Sequence, residues 1–530
     1  MRDKQVLFRR IMMILSCMVL LLPLAKLLLI LFNIPVESSL HNGFNEVRDY
    51  VNFRLARVIY EGKNPYSLDI LGTTNAPLMF FYPALYPLMV AGLCRLTGLS
   101  IVAGYYAVNI QLVALTAICV WVMVKGEFKD YKAVTLLCVV INAATFFSVF
   151  GLPVFNFHTD TVGIVMTVVM FLIVYKKKEW TWLLALLSVL LIFTKQILLI
   201  MVVPIFIYLL IRKPKLALLY FIECIVMGAV TLAVIQFLFP LYWTETIYAQ
   251  FCVNGDAGSL NSATWNIFHF YRRYIAYLLA VVIGGIVLTV RRIVKRGSSG
   301  KFTEREWFMV YLALNVFLGT ASLLYIARGD ADGSKYCQDI LAPSLFMLTV
   351  FIAGSITSFF GTKRKAAGVI VLFVLCLMTT FTYEHFQTKY YSKEAVANMT
   401  ALDSIIAEHE GEKIYLSMMA NAYSLNRNIW EDDSIWTNDG QIEYFYLGEY
   451  SDNETLNSLF YGDIIEKAAD DYVAEVNEMI GNREFGLVTT CCERVADMDL
   501  LAQNYYVYDH YLILTDTNDF VEVYVWLPRS

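Results

Sequence analysis

Apolar and polar positions along this chain fall in long blocks rather than in short alternation. One apolar run covers residues 11–32, broken only by Lys26. Others lie at about 101–124, 133–150, 161–175, 180–194, 197–211, 216–239, 274–290, 306–326, 338–359 and 367–383. About 20 apolar residues is the length a helix needs to cross a hydrocarbon layer roughly 30 Å thick. The pattern therefore predicts about eleven membrane-spanning helices.

The pattern changes after residue 384. Helical periodicity covers 395–409 and 464–480. Short β-branched and aromatic runs follow at 413–417, 485–490, 505–514 and 520–527, with turn residues between them. Such a mixture predicts a soluble α/β body of about 145 residues, long enough for its own core. The expected fold class is a polytopic α-helical membrane protein with a C-terminal extracytoplasmic α/β domain. The division is a transmembrane domain over 1–384, with a first outer loop at 33–100, and a soluble domain over 385–530.

One stretch, 41–98, is neither span nor soluble body. It is too long to be a mere connector and too rich in aromatics and short apolar runs to be disordered. Its last part, 78–97, is just long enough to cross, yet it holds Pro83, Pro87 and Arg95. A proline inside a helix removes a hydrogen bond and clashes with the preceding turn. Charge decides its placement. Basic clusters stand at Arg2/Lys4/Arg9/Arg10, Lys125/Lys129/Lys132, Lys176–Lys178, Arg212/Lys213/Lys215, Arg291/Arg292/Lys295/Arg296 and Lys363–Lys365. If 78–97 lies along the outer surface, every cluster falls inside, where Lys and Arg are in excess. If it spans, all but the first fall outside. The expectation is an outer juxtamembrane helix, with a true span as the alternative. The loops at 33–100, 151–160, 194–196, 240–273 and 327–337 and the whole tail then share the outer face.

Composition adds an asymmetry. From residue 385 onward there are 27 acidic and 8 basic residues, so the membrane part is net basic although the whole chain carries −5. No basic patch interleaved with aromatics points to nucleic acid. The ten cysteines form no CxxC pair, so neither a disulfide framework nor a zinc site is indicated. The N-terminal run is too long for a secretory signal and reads as an uncleaved span. There is no P-loop and no GxGxxG. An enzyme acting outside without a nucleotide needs an activated substrate already in the membrane.

Candidate chemistry sits in the outer loops. Asp49, in EVRDY with Glu46 close by, is an acid near a membrane face that can serve as a general base; a solvated acid paired with Arg48 is the plainer reading. His158 and Asp160 form FHTD before an apolar run, where Asp160 can equally complement the positive end of a helix. Together they could take a metal, but no third ligand is visible nearby. Lys195 and Gln196 separate two apolar runs with almost no loop, and an ionisable group there is a functional candidate unless it snorkels. Arg328, Lys335 and Tyr336 lie in ARGDADGSKYCQD, where an arginine and a lysine offer what a phosphate requires; an ordinary solvated turn is the alternative.

VRDYVNFRLARVIYEGKNPYSLD followed by FFYPALYPLM resembles the first outer loop of GT-C superfamily glycosyltransferases, closest to the polyprenol-phosphate-mannose-dependent branch. The match runs through Asp49, Gly62, Asn64, Pro65, Tyr66, Tyr82, Pro83 and Leu85. The tail is similar to the soluble domains of protein O-mannosyltransferase-like and aminoarabinose-transferase-like members. The chain departs from the family in reading YPA where YPP is usual, and FHTD is not a strict DxD, which weakens the case for a metal. The resemblance implies inverting transfer of a sugar from a polyprenyl-phosphate donor to a glycan, glycolipid or protein acceptor in the cell envelope, by a multi-pass protein of the plasma membrane. It implies Asp49 as catalytic acid, with His158 and Asp160 beside it. It also implies substrate contacts from Glu46, Tyr66, Tyr82, Lys195, Gln196, Arg328, Lys335 and Tyr336. No cofactor is required by these residues, and a divalent cation stays open. The other class to weigh is a transporter or flippase for a lipid-linked saccharide, which predicts inverted repeats and mid-membrane charges; neither is evident.

Overall fold

The computed structural model describes residues 6–8, 10–19, 21, 47–73, 75–76, 80, 83–128, 131–146, 159–176, 179–248, 260–296, 301–326, 334–359, 363–386, 393–417, 432–437, 462–491, 495–514 and 520–530. The first loop is built on α1 (Val47–Glu61), whose Phe53, Arg54 and Leu55 are all buried. Gly62 ends this helix at φ 85°. Its N–H donates to Ile59 O at 3.0 Å, and the next N–H, of Lys63, donates to Val58 O at 3.1 Å. This paired closure needs a left-handed residue, which glycine supplies without a Cβ clash.

After the short α2 (Leu68–Leu71) comes α3 (Leu85–Thr97). Its 13 residues span about 20 Å, too short for a hydrocarbon core. Pro83 precedes it and Pro87 stands in its first turn, where the missing N–H costs nothing. Arg95 donates through Nε and Nη2 to Tyr60 O at 2.9 and 2.7 Å, capping the end of α1. Arg95, which argued against a span, thus closes one loop helix onto another.

The bundle follows: α4 (Ile101–Val124), α5 (Lys132–Phe146), α6 (Asp160–Tyr175), α7 (Thr181–Ile192), a 3₁₀ turn (Gln196–Met201) leading into α8 (Val202–Arg212), α9 (Pro214–Leu238), α10 (Leu260–Arg273), α11 (Ile275–Arg296), α12 (Glu304–Ile326), α13 (Ser334–Phe359) and α14 (Lys363–Phe386). Among the described residues, 5 helices are long and apolar enough to cross a membrane: Ile101–Val124, Pro214–Leu238, Ile275–Val294, Glu304–Leu324 and Ile340–Phe359. α13 is buried along nearly its whole apolar length, whereas α9 turns Val230 and Phe237 outward. An exposed apolar helix face of this kind suits lipid, not water. Other apolar runs yield shorter helices, and two of them, Thr181–Ile192 and Gln196–Arg212, are separated where the chain unwinds at Lys195 (φ −161°, ψ 120°). Of the first run, residues 10–19 are helical.

The two ends of the bundle differ. At one end the start of α12 gathers the basic segments: Arg212 Nη2 meets Glu304 Oε1 at 2.7 Å, Arg292 Nη1 meets Glu306 Oε1 at 2.9 Å, and Arg305 pairs with Glu127. The first loop, the start of α6, Lys195 and the segment after α9 come together at the other.

The tail comprises α15 (Lys393–Glu408), β1 (Ile414–Leu416), β2 (Ile435–Thr437), α16 (Gly462–Asn482), β3 (Leu487–Thr490), α17 (Met498–Asn504), β4 (Tyr505–Leu514) and β5 (Phe520–Pro528). The strand order is β2-β1-β3-β5-β4; β1 runs parallel to β2 and β3, and β5 antiparallel to β3 and β4. Two elements escape the sequence pattern. β2 has 3 residues, too few to show alternation, and α17 has 7, started by Asp497, whose side chain accepts from Asp499 N at 3.0 Å and Leu500 N at 3.1 Å. The tail does not stand apart from the loop. Val51, Leu55, Val58 and Tyr66 share one apolar core with Tyr415, Trp436, Ile465 and Tyr472. Asn75 Nδ2 donates to Asp432 O and Ile435 O, each at 3.0 Å, and Asn75 O accepts from Thr437 N at 3.0 Å. The loop thereby satisfies the outer edge of β2, which would otherwise carry unpaired backbone groups.

Candidate active site

The G-x-NPY turn is the first fixed point. Asn64 Oδ1 accepts from Tyr66 N at 3.1 Å, a local turn that asparagine favours, and Ser67 Oγ donates to Asn64 O at 2.8 Å. Asn64 Nδ2 reaches Leu238 O, at the end of α9, at 2.7 Å, while Leu241 N donates to Tyr66 O at 3.2 Å. Tyr66 is buried, with the rings of Phe80, Phe239 and Tyr242 set edge-on around it at 5.1 to 6.4 Å. Burial pushes its phenol well above the ordinary tyrosine range, and Tyr242 and Glu245 add to that. The motif is thus an anchor that fixes the first loop to the segment after α9.

The second fixed point is an ion pair. Lys195 Nζ donates to Asp160 Oδ1, and both side chains are buried, 8% and 7% exposed. Asp160 is the first residue of α6, where a negative charge complements the helix dipole. Lys195 lies at the break between α7 and the 3₁₀ turn. Gly163, one turn into α6, allows the approach: a Cβ there would stand 2.4 Å from Leu198 Cδ1. The gap between two apolar runs therefore turns a lysine inward onto an acid of the neighbouring loop. The Lys195 ammonium already serves Asp160 Oδ1, and among the described residues no group of three metal-ligating side chains occurs.

The third fixed point was not legible in the sequence. A π-helical turn, Thr244–Tyr248, follows α9. Its Glu245 is fully buried; Oε2 accepts from Phe80 N at 2.8 Å. Its neighbour Thr246 accepts through O from Gln196 Nε2 at 3.1 Å. Burial pushes the Glu245 carboxyl well above the usual range, against the lowering effect of the Phe80 N–H. The signal was a lone acid inside the aromatic stretch LYWTETIY.

Asp160, Lys195, Gln196 and Tyr66 are thus held at one end of the bundle by the elements that hold the first loop. Asp49 stands in the first turn of α1. Lys335 and Tyr336 stand in the first turn of α13; for these three the description is of the backbone alone. Glu46, Tyr82, His158 and Arg328 lie outside the described residues.

No protein-family model matches this sequence. No curated protein matches it either. Solved structures do. ArnT from Cupriavidus metallidurans bound to undecaprenyl phosphate superposes with a TM-score of 0.51 at 10% identity, over 96% of this chain and 98% of that one. The oligosaccharyltransferase of Archaeoglobus fulgidus, in its apo form, gives 0.49 at 10% identity over 95% and 74%. The chain has the GT-C membrane fold, an assignment that rests on the first comparison and its near-complete coverage of both chains.

Proposed function

We propose that this protein is a membrane glycosyltransferase that moves a sugar from a polyprenyl-phosphate donor to an extracytoplasmic acceptor with inversion. The observation that carries the reading is the buried Lys195–Asp160 pair, a cation fixed beside the first loop at the end of the bundle away from the basic clusters. The ArnT likeness supports a polyprenyl phosphate as its partner. The G-x-NPY anchor, whose hydrogen bonds engage Gly62, Asn64 and Tyr66, supports the first-loop resemblance.

In this reading the acceptor hydroxyl attacks the anomeric carbon, the bond from that carbon to the phosphate oxygen breaks, and polyprenyl phosphate leaves. Asp49 takes the hydroxyl proton. Lys195, Arg328 and Lys335 meet the charge that develops on the departing phosphate. Asp160 holds the Lys195 ammonium in place, and His158 takes part in handling the acceptor. Glu46, Tyr66, Tyr82, Gln196 and Tyr336 shape the donor pocket. The same face carries the tail, outside the plasma membrane. The test is release of undecaprenyl phosphate by purified protein from a panel of synthetic sugar donors. Bound donor that is never cleaved would favour the transport reading.

A further inference from the structure

Glu245 lies outside every motif of the sequence, yet it is built into the site more firmly than most candidates. Its side chain is fully buried, Oε2 holds the Phe80 amide at 2.8 Å, and Oε1 is buried with no hydrogen-bond partner among the described residues. The next carbonyl, Thr246 O, holds Gln196 beside Lys195. We propose that Glu245 is a positioning residue: its carboxyl straps the Phe80 amide of the first loop to the turn after α9, and so fixes that part of the loop relative to the Lys195 corner. The inference rests on the donor reading above only for its effect on lipid phosphate binding.

A neutral carboxyl is what this location requires. A charged carboxylate without a cation partner is costly to bury, and one backbone N–H offsets little of that cost. Among the described residues the titratable side chains around it are Tyr66 and Tyr242, both kept protonated by burial, and, across the Gln196 contact, the Lys195–Asp160 pair. The sign follows. A carboxyl raised in the folded state supports the strap while protonated, and that support is lost as pH rises through the raised value.

Glu245→Gln keeps a carbonyl oxygen for the Phe80 N–H and cannot ionise. Glu245→Ala removes the strap. Two readouts separate the inference from the functional reading: hydrogen exchange of the Phe80 amide without ligand, and binding of undecaprenyl phosphate to the full chain in detergent, both from neutral to alkaline pH. In the wild type, Phe80 protection and affinity fall together toward alkaline pH. Glu245→Gln stays protected and binds evenly across the range, whereas Glu245→Ala exchanges faster throughout and binds roughly tenfold more weakly. Unchanged Phe80 exchange in Glu245→Ala, or an alkaline loss in Glu245→Gln equal to the wild type's, overturns the proposal. Normal strap behaviour with no undecaprenyl phosphate binding at any pH would instead sink the donor reading.

Discussion

Replacing Lys195 by Met separates what the buried pair does for the fold from what it does for the donor. Both partners are more than nine-tenths buried, so removing the ammonium takes from Asp160 the cation it pairs with inside the fold. Breaking such a pair from one side costs about 3–5 kcal/mol. Replacing both partners with neutral groups removes most of that penalty, because the expensive species is the lone charge. Lys195→Met should therefore melt well below the wild type, and Lys195→Met with Asp160→Asn should recover most of the difference. Lipid phosphate binding should not recover. A hydrogen bond to a charged group is worth about 1.5–3 kcal/mol, so both variants should bind undecaprenyl phosphate at least about tenfold more weakly. The assay is thermal unfolding in one detergent alongside equilibrium binding of undecaprenyl phosphate. A double variant that binds like the wild type would remove Lys195 from the phosphate site. A single variant that melts like the wild type would remove the pair from its structural role.

Three further outcomes follow from the geometry. Gly62→Ala places a Cβ 2.9 Å from Arg95 Nη2 at φ 85°, and should cost about 1–3 kcal/mol in unfolding measurements, the usual range for a strained backbone position. Asn75→Ala deletes both side-chain bonds to the β2 edge, leaving two buried or half-buried carbonyls, and should speed hydrogen exchange and proteolysis around 432–437 while the bundle is unaffected. Cysteines placed at Lys177 and Asn453, in a background without native cysteines, should be shielded and labelled respectively in intact cells; the reverse pattern would invert the topology.

The membrane fold was legible because apolar length is a direct signal: the runs from residue 101 onward each hold a helix. In the tail, α15, α16, β4 and β5 lie where periodicity put them, since each is long enough to show its period. β2 was not visible, because its 3 residues show no alternation and its partner on the outer edge, Asn75, is 360 positions away in the chain. The same limit explains the site. Lys195 was conspicuous as a charge between apolar runs, but its partner depended on packing across Gly163 and Leu198. Arg95 looked like evidence about a span and proved to be a helix cap for α1. Glu245 carried no motif, and its importance comes from burial against a loop amide, which sequence spacing does not encode.

Single-turnover transfer from labelled sugar on undecaprenyl phosphate, by purified wild-type protein and by Asp49→Asn, separates a transferase with Asp49 as its base from a transporter. The variant keeps the size of the side chain and cannot act as the base. The wild type should release undecaprenyl phosphate and place the label on an acceptor with inverted configuration. Asp49→Asn should bind donor normally, melt normally, and transfer roughly 10²–10⁴-fold more slowly, the usual contribution of general acid–base catalysis. Full transfer by Asp49→Asn would contradict the base assignment. Label that crosses the bilayer of a proteoliposome still attached to its lipid, with no bond cleaved by the wild type, would contradict the transferase itself.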